Sequence, residues 1–125
     1  MGEKQKARIE ETIHQMVAEL LIRRVKDPRV SHVSITHVAV SKDYAMAKLM
    51  YNVVGGSEDL PGVQSGLESC RGFIRSQIRK HLRLRVIPEL VFVYDTSLDR
   101  AMAIDELLKK IGEERSTSDG REKDE

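Results

Sequence analysis

Tryptophan is absent from the 125-residue chain, and three tyrosines and two phenylalanines are all the aromatic rings it has. A mechanism that stacks several nucleic-acid bases therefore has few platforms, which favours recognition of shape and backbone over that of a splayed strand. The single cysteine, Cys70, excludes an intramolecular disulfide and fits a reducing compartment. No stretch approaches the roughly 20 apolar residues that span a bilayer, and the start, Met1 to Lys6, lacks the apolar run of a signal peptide. The expected place is the cytoplasm, with no membrane partner.

Chemistry-bearing groups are equally sparse. His14, His32, His37, His81 and Cys70 show no clustered metal spacing. On one helix Cys70 and His81 would stand about 16 Å apart, too far for a nucleophile pair. Gly55-Gly56-Ser57 lacks the Gly-Lys-Ser/Thr ending of a phosphate-cradling loop. Asp95 and Asp99 fall at a helix start, where carboxylates act as caps rather than as a general acid and base. No metal, cofactor, small-molecule substrate or catalytic set is expected, and the chain does not read as an enzyme.

What is present is charge, at 33% of residues, with a formal net of only +1. That figure averages two unlike parts. Residues 112–125 hold six acidic and three basic side chains and no apolar one, which leaves 18 basic and 14 acidic residues in the body, a net of +4. The expectation is one domain over 1–111 and a polar tail without fixed structure over 112–125.

Along the body, Ile9, Ile13, Met16, Val17 and Leu20 predict a helix over 4–25, stopped by Pro28. Residues 30–41 predict a strand whose apolar alternation changes phase, so a bulge near Thr36-His37 is needed to bring Val33, Ile35, Val38 and Val40 to one face. A turn at 41–43 leads to a second strand over 44–54. Residues 63–82 are helical in pattern, with Gly72 predicting a break into two helices near Cys70-Arg71-Gly72. A third strand follows over 85–94, with Pro88 confining it to an edge or to a start. Thr96 or Ser97 then caps a last helix that ends at Gly112. Phe92 and Tyr94 read as core. The pattern is α+β, in the order α-β-β-α-α-β-α.

The segment 69–87 carries Arg71, Arg75, Arg79, Lys80, Arg83 and Arg85, with no carboxylate between Glu68 and Glu89. Arginines four apart form one slowly rotating helix ridge, beside the apolar ridge of Ile74, Ile78 and Leu82. Like charges at that spacing repel by a few tenths of a kcal/mol per pair. A phosphate backbone removes the repulsion and accepts bidentate hydrogen bonds from arginine. Neutralising roughly four to six phosphates predicts a log K against log[salt] slope near −3 to −5. An acidic protein partner stays open as the alternative. Lys4, Lys6, Arg8, Arg23, Arg24, Lys26 and Arg29 are secondary candidates, diluted by Glu10, Glu11 and Glu19.

Several stretches in register resemble the ribosome-binding factor A family: Lys26-Asp27-Pro28-Arg29-Val30, Val40-Ser41-Lys42-Asp43, Ala47-Lys48, Gly72-Phe73-Ile74-Arg75, Leu82 through Leu90, and Phe92 through Ser97. The resemblance covers roughly residues 5–111. It implies a single KH-like (type II) domain, α-β-β-α-kink-α-β, with a three-stranded sheet and a C-terminal helix. It further implies a monomeric, non-catalytic factor that binds 16S rRNA and the small (30S) ribosomal subunit. Late subunit maturation, 16S rRNA 5′-end processing and cold adaptation are the roles it suggests. An Ala-x-Gly kink in the family corresponds here to Cys70-Arg71-Gly72, where a small apolar cysteine is expected to keep the kink. The implied RNA-binding residues are Arg71, Gly72, Arg75, Arg79, Lys80, Arg83 and Arg85, with Gly72 allowing close backbone approach.

Overall fold

In the computed structural model, residues 3–56 and 59–124 are described, apart from the side chains of 98, 99 and 114–124. The first helix, α1 (Glu3–Arg23), buries Ile9, Ile13, Val17, Leu20 and Leu21 along one face, with Met16 packed at its edge. It ends where Arg24 and Val25 both donate to the Leu20 carbonyl. Asp27 then caps a short 3-10 turn at Pro28–Val30, so the first strand, β1 (Val33–Val40), starts later than the run of β-branched residues suggested. The Asp27 carboxylate accepts from the Arg29 side chain and backbone, which holds its carboxyl below the usual range.

The second strand, β2 (Met46–Val53), pairs antiparallel with β1, and the register slips between Ile35 and His37. Thr36 is the extra residue, so the expected bulge is present, and Ile35, Val38 and Val40 all turn inward. The hydroxyl of Thr36 donates to Asp95 Oδ2 at 2.6 Å, tying the bulge to the end of the third strand. Asp95 is thus a buried tether and not simply a helix cap; the Asp99 side chain lies outside the described residues. Between β1 and β2 the Asp43 carboxylate accepts from Ser41 and from the Ala45 N–H, while Tyr44 takes a left-handed φ of 61°.

The third strand, β3 (Glu89–Tyr94), runs parallel to β2 and completes a mixed sheet in the order β1-β2-β3. It begins directly after Pro88, whose missing N–H and fixed φ suit a strand start. The parallel connection between β2 and β3 is a single helix, α2 (Leu60–His81), capped by Asp59 with Pro61 in its first turn. The predicted break is absent: α2 runs unbroken through Cys70-Arg71-Gly72. One interior glycine costs about 1 kcal/mol, less than is gained by burying Leu67, Ile74 and Ile78 on either side of it. Packing does require a glycine at Gly66, where a Cβ would meet Val30 Cγ1 at 2.9 Å.

α1 and α2 close one face of the sheet over Leu49, Tyr51, Leu90 and Phe92. Phe92 is buried as expected, and Tyr94 meets Tyr51 edge to face at 5.7 Å. The order α-β-β-α-β is α+β and compatible with the KH-like description. This compact unit runs to Asp95.

From Thr96 the chain forms a second unit, helix α3 (Ser97–Asp124), which opens with Arg100 donating to the Thr96 carbonyl. It continues through Gly112, where a stop was expected, because glycine weakens a helix without forbidding it. Met102, Ile104, Leu107 and Leu108 are exposed along it. Beyond Glu113 the side chains of the expected polar tail lie outside the described residues. No described helix is long and apolar enough to cross a membrane.

Candidate nucleic-acid interface

α2 presents Ile74 and Ile78 to the core, as their spacing required, and holds the arginine ridge beside them. The ridge is not uniform. Arg71 pairs with Glu68 at 2.7 Å, one turn back on the same helix and at the surface. Arg75 is more deeply engaged: Nε donates to the Pro88 carbonyl at 3.2 Å, and Nη2 donates to the Ile87 carbonyl at 3.0 Å. Nη2 also lies 3.5 Å from Glu89 Oε1. The expectation of a ridge clear of carboxylates is therefore corrected at two positions. For Arg71 the physical reason is the i, i+3 spacing that sets Glu68 beside it on the same helix; for Arg75 it is the chain path, which folds Glu89 at the start of β3 back beside the middle of α2.

A second correction concerns the C-terminal end. α2 stops at His81, and Leu82, extended, donates to the Ile78 carbonyl. Arg83 and Arg85 lie on the loop 82–88, not on the helix ridge, because the helix ends at His81; Leu82, Leu84 and Ile87 pack toward the core and leave Arg83, Arg85 and Val86 exposed between them. Arg83 and Arg85 share the lining of a cleft of about 250 Å³ with Gln5, Asp43 and Tyr44. Arg79 and Lys80 end the helix, exposed. Arg79, Lys80, Arg83 and Arg85 make no ion pair with any described residue. Asp43, which lines the cleft with Arg83 and Arg85, accepts instead from Ser41 and the Ala45 N–H, and the four charges face solvent.

Gly72 is exposed, and a Cβ placed there would meet nothing within 4 Å. Packing inside the protein does not demand glycine at this point. Cys70 is buried, its thiol donates to the Leu67 carbonyl, and burial pushes it above its ordinary value, which suits a packing group and not a nucleophile. Of the secondary candidates, Arg29 is taken up by Asp27, whereas Arg24 lies over the Phe73 ring at 5.6 Å. Among the described residues, no group of His, Cys, Asp and Glu could hold a metal.

Two features escaped the sequence. Arg75 looked like its neighbours, since nothing local marks a partner thirteen residues away. Gln77 carries no mark in the sequence reading, yet it is 8% exposed where α1 meets α2. Its position, one residue before the buried Ile78, was the available signal.

A family model described as ribosome-binding factor A matches residues 5–108. The ribosome-binding factor A of Geobacter metallireducens is 44% identical over 93% of this chain and 98% of its own. That of Nitrosomonas europaea is 43% identical over 81% and 86%. Among solved structures, a Thermotoga maritima ribosome binding factor A determined by solution NMR is similar at 30% identity, with a TM-score of 0.66 over 78% of this chain and 92% of that one. The Thermus thermophilus factor, as fitted into a cryo-EM map of its 30S complex, shares the fold at 22% identity, with a TM-score of 0.59 over 74% of this chain and 97% of that one. Matched by the family model across all three strands and by close relatives over most of its length, the chain belongs to the ribosome-binding factor A family.

Proposed function

We propose that this chain binds the small ribosomal subunit through 16S rRNA and assists its late maturation, including processing of the 16S rRNA 5′ end, as a non-catalytic monomer in the cytoplasm. The observation that carries the reading is the cluster of unpaired cations Arg79, Lys80, Arg83 and Arg85 at the end of α2 and on the loop after it. Four exposed guanidinium and ammonium groups without an ion-pair partner among the described residues form a polyanion site, and arginine suits phosphate in particular. The family and the 30S complex of the Thermus thermophilus relative support the subunit as the source of that polyanion.

The roles within the predicted set divide. Arg79, Lys80, Arg83 and Arg85 contact phosphates directly. Arg71 stays paired with Glu68 at the surface and adds to the phosphate contacts only where that weak pair gives way. Arg75 positions the loop that presents Arg83 and Arg85. Gly72 lets the RNA backbone approach α2 without a side chain between. The test is co-sedimentation with immature and mature small subunits across a salt series. Binding should prefer immature subunits with a slope near −4, about four released counterions, and Arg79→Glu with Arg83→Glu should abolish it while the fold is kept. Unchanged co-sedimentation of that double variant, or a parent chain that binds an acidic peptide as well as it binds subunits, would overturn the reading.

A further inference from the structure

The arginine ridge occupies one flank of α2, and Gln77 lies about 200° around the helix from Arg75. There the C-terminal turns of α1 and α2 enclose a cleft of about 350 Å³, with Met16 and Leu20 as apolar walls, Gln77 and His81 from α2, and Glu19 and Arg24 from α1. Gln77 is 92% buried, yet its carboxamide forms no hydrogen bond with a described residue. The residue is buried but its amide atoms open on the cleft and reach water there, so a group entering the cleft can exchange those water contacts for direct hydrogen bonds.

The chemistry of the walls selects what can enter. A phosphate is disfavoured, since Glu19 lines the cleft and both helices direct their last carbonyls toward this end. A flat, neutral heterocycle with donors and acceptors on its edge meets every group. Its faces lie against Met16 and Leu20, and Gln77 pairs with its edge as carboxamides do with adenine. The Glu19 carboxylate accepts from an exocyclic amino group. Arg24 has one face on Phe73, which leaves the other for stacking a base. Arg23, exposed at the mouth and 3.7 Å from Glu19, gives up that weak surface pair for the adjoining phosphates and leaves the Glu19 carboxylate to the base.

We propose that this cleft takes one unstacked RNA base carrying an exocyclic amino group, adenine before uracil, with Gln77 reading its edge. The proposal rests on the reading of the chain as an RNA-binding factor and adds a base-specific contact to a surface otherwise fitted to phosphate. It is tested on the full chain by following the Gln77 side-chain amide resonances while short oligoadenylate or oligouridylate is added. Oligoadenylate should shift them and oligouridylate should not. Gln77→Leu and Met16→Trp, the second filling the cleft from α1, should each weaken subunit binding about tenfold with the salt slope unchanged, because no phosphate contact is lost. Unshifted resonances with both oligonucleotides, or parental affinity in either folded variant, overturns the proposal; should Gln77→Leu not fold, the resonances and Met16→Trp decide. A parent chain that fails to bind subunits removes the RNA reading itself, whereas parental binding shared by the variants removes only the cleft.

Discussion

Arg75 and Arg79 sit one turn apart on the same helix, with the same side chain, and do opposite things. Arg75 spends its guanidinium on two backbone carbonyls and a glutamate, and is less exposed than any other arginine in an ion pair. Arg79 has no such partners among the described residues and faces solvent. The difference comes from what the topology delivers to each position. β3 returns parallel to β2 and starts at Glu89, so Pro88 and Glu89 arrive beside the middle of α2. Its end is left bare. A run of like charges along a helix is thus not one surface: part is consumed in fixing the backbone, and only the remainder can meet a polyanion.

The sharpest way to break the comparison is to remove each arginine in turn. Arg75→Ala should lower stability by about 2 kcal/mol, since charged hydrogen bonds contribute about 1.5–3 kcal/mol and both carbonyls would lose their donor. The thermal midpoint should then fall by several degrees. Arg79→Ala should leave the midpoint within a degree or so, as expected for an exposed residue without partners. The pair of melting curves checks this directly. Equal midpoints would mean that water replaces the Arg75 bonds without loss, and the division of the ridge would have to be redrawn. Arg75→Lys should recover little of the loss, because an ammonium cannot span the two carbonyls as a planar fork does.

The parts of the fold legible in the sequence were those set by local spacing. The apolar stripe of α1 marked its buried face, and the phase change between Ile35 and Val38 could only be reconciled by a bulge, which Thr36 supplies. Arg79 and Lys80 were legible as free charges for the same reason. Positions decided by distant chain were not. Arg75 meets Ile87, Pro88 and Glu89 only because a loop folds back, and Gln77 is buried only because α1 crosses it. Gly72 misled in the other direction. A glycine in a helical pattern reads as a break, yet the buried residues before and after it hold the helix straight through.

Gly72 supplies an intermediate effect. As an exposed glycine in a helix interior with open space where a Cβ would stand, Gly72→Ala should raise stability by about 0.5–1 kcal/mol. If RNA approaches the helix backbone at this point, the same change should weaken subunit binding. A variant that melts higher and binds less well separates the two roles, whereas one that melts higher and binds normally removes Gly72 from the interface.

The smallest effect concerns Arg71, which stands between its two neighbours in kind. Its pairing with Glu68 is exposed, and such pairs contribute about 0.2–1 kcal/mol at most. Glu68→Gln should therefore leave the midpoint nearly unchanged, and Gln64, which donates to Glu68, keeps an acceptor in the new amide. Freed of its carboxylate, Arg71 becomes a cation like Arg79. If it then reaches a phosphate, the salt slope of subunit binding should steepen by up to about one unit, with a few-fold gain in affinity at low salt. A slope and affinity identical to those of the parent chain would place Arg71 with Arg75, on the side of the helix that serves the fold, and would confine the polyanion surface to Arg79 and the residues that follow it.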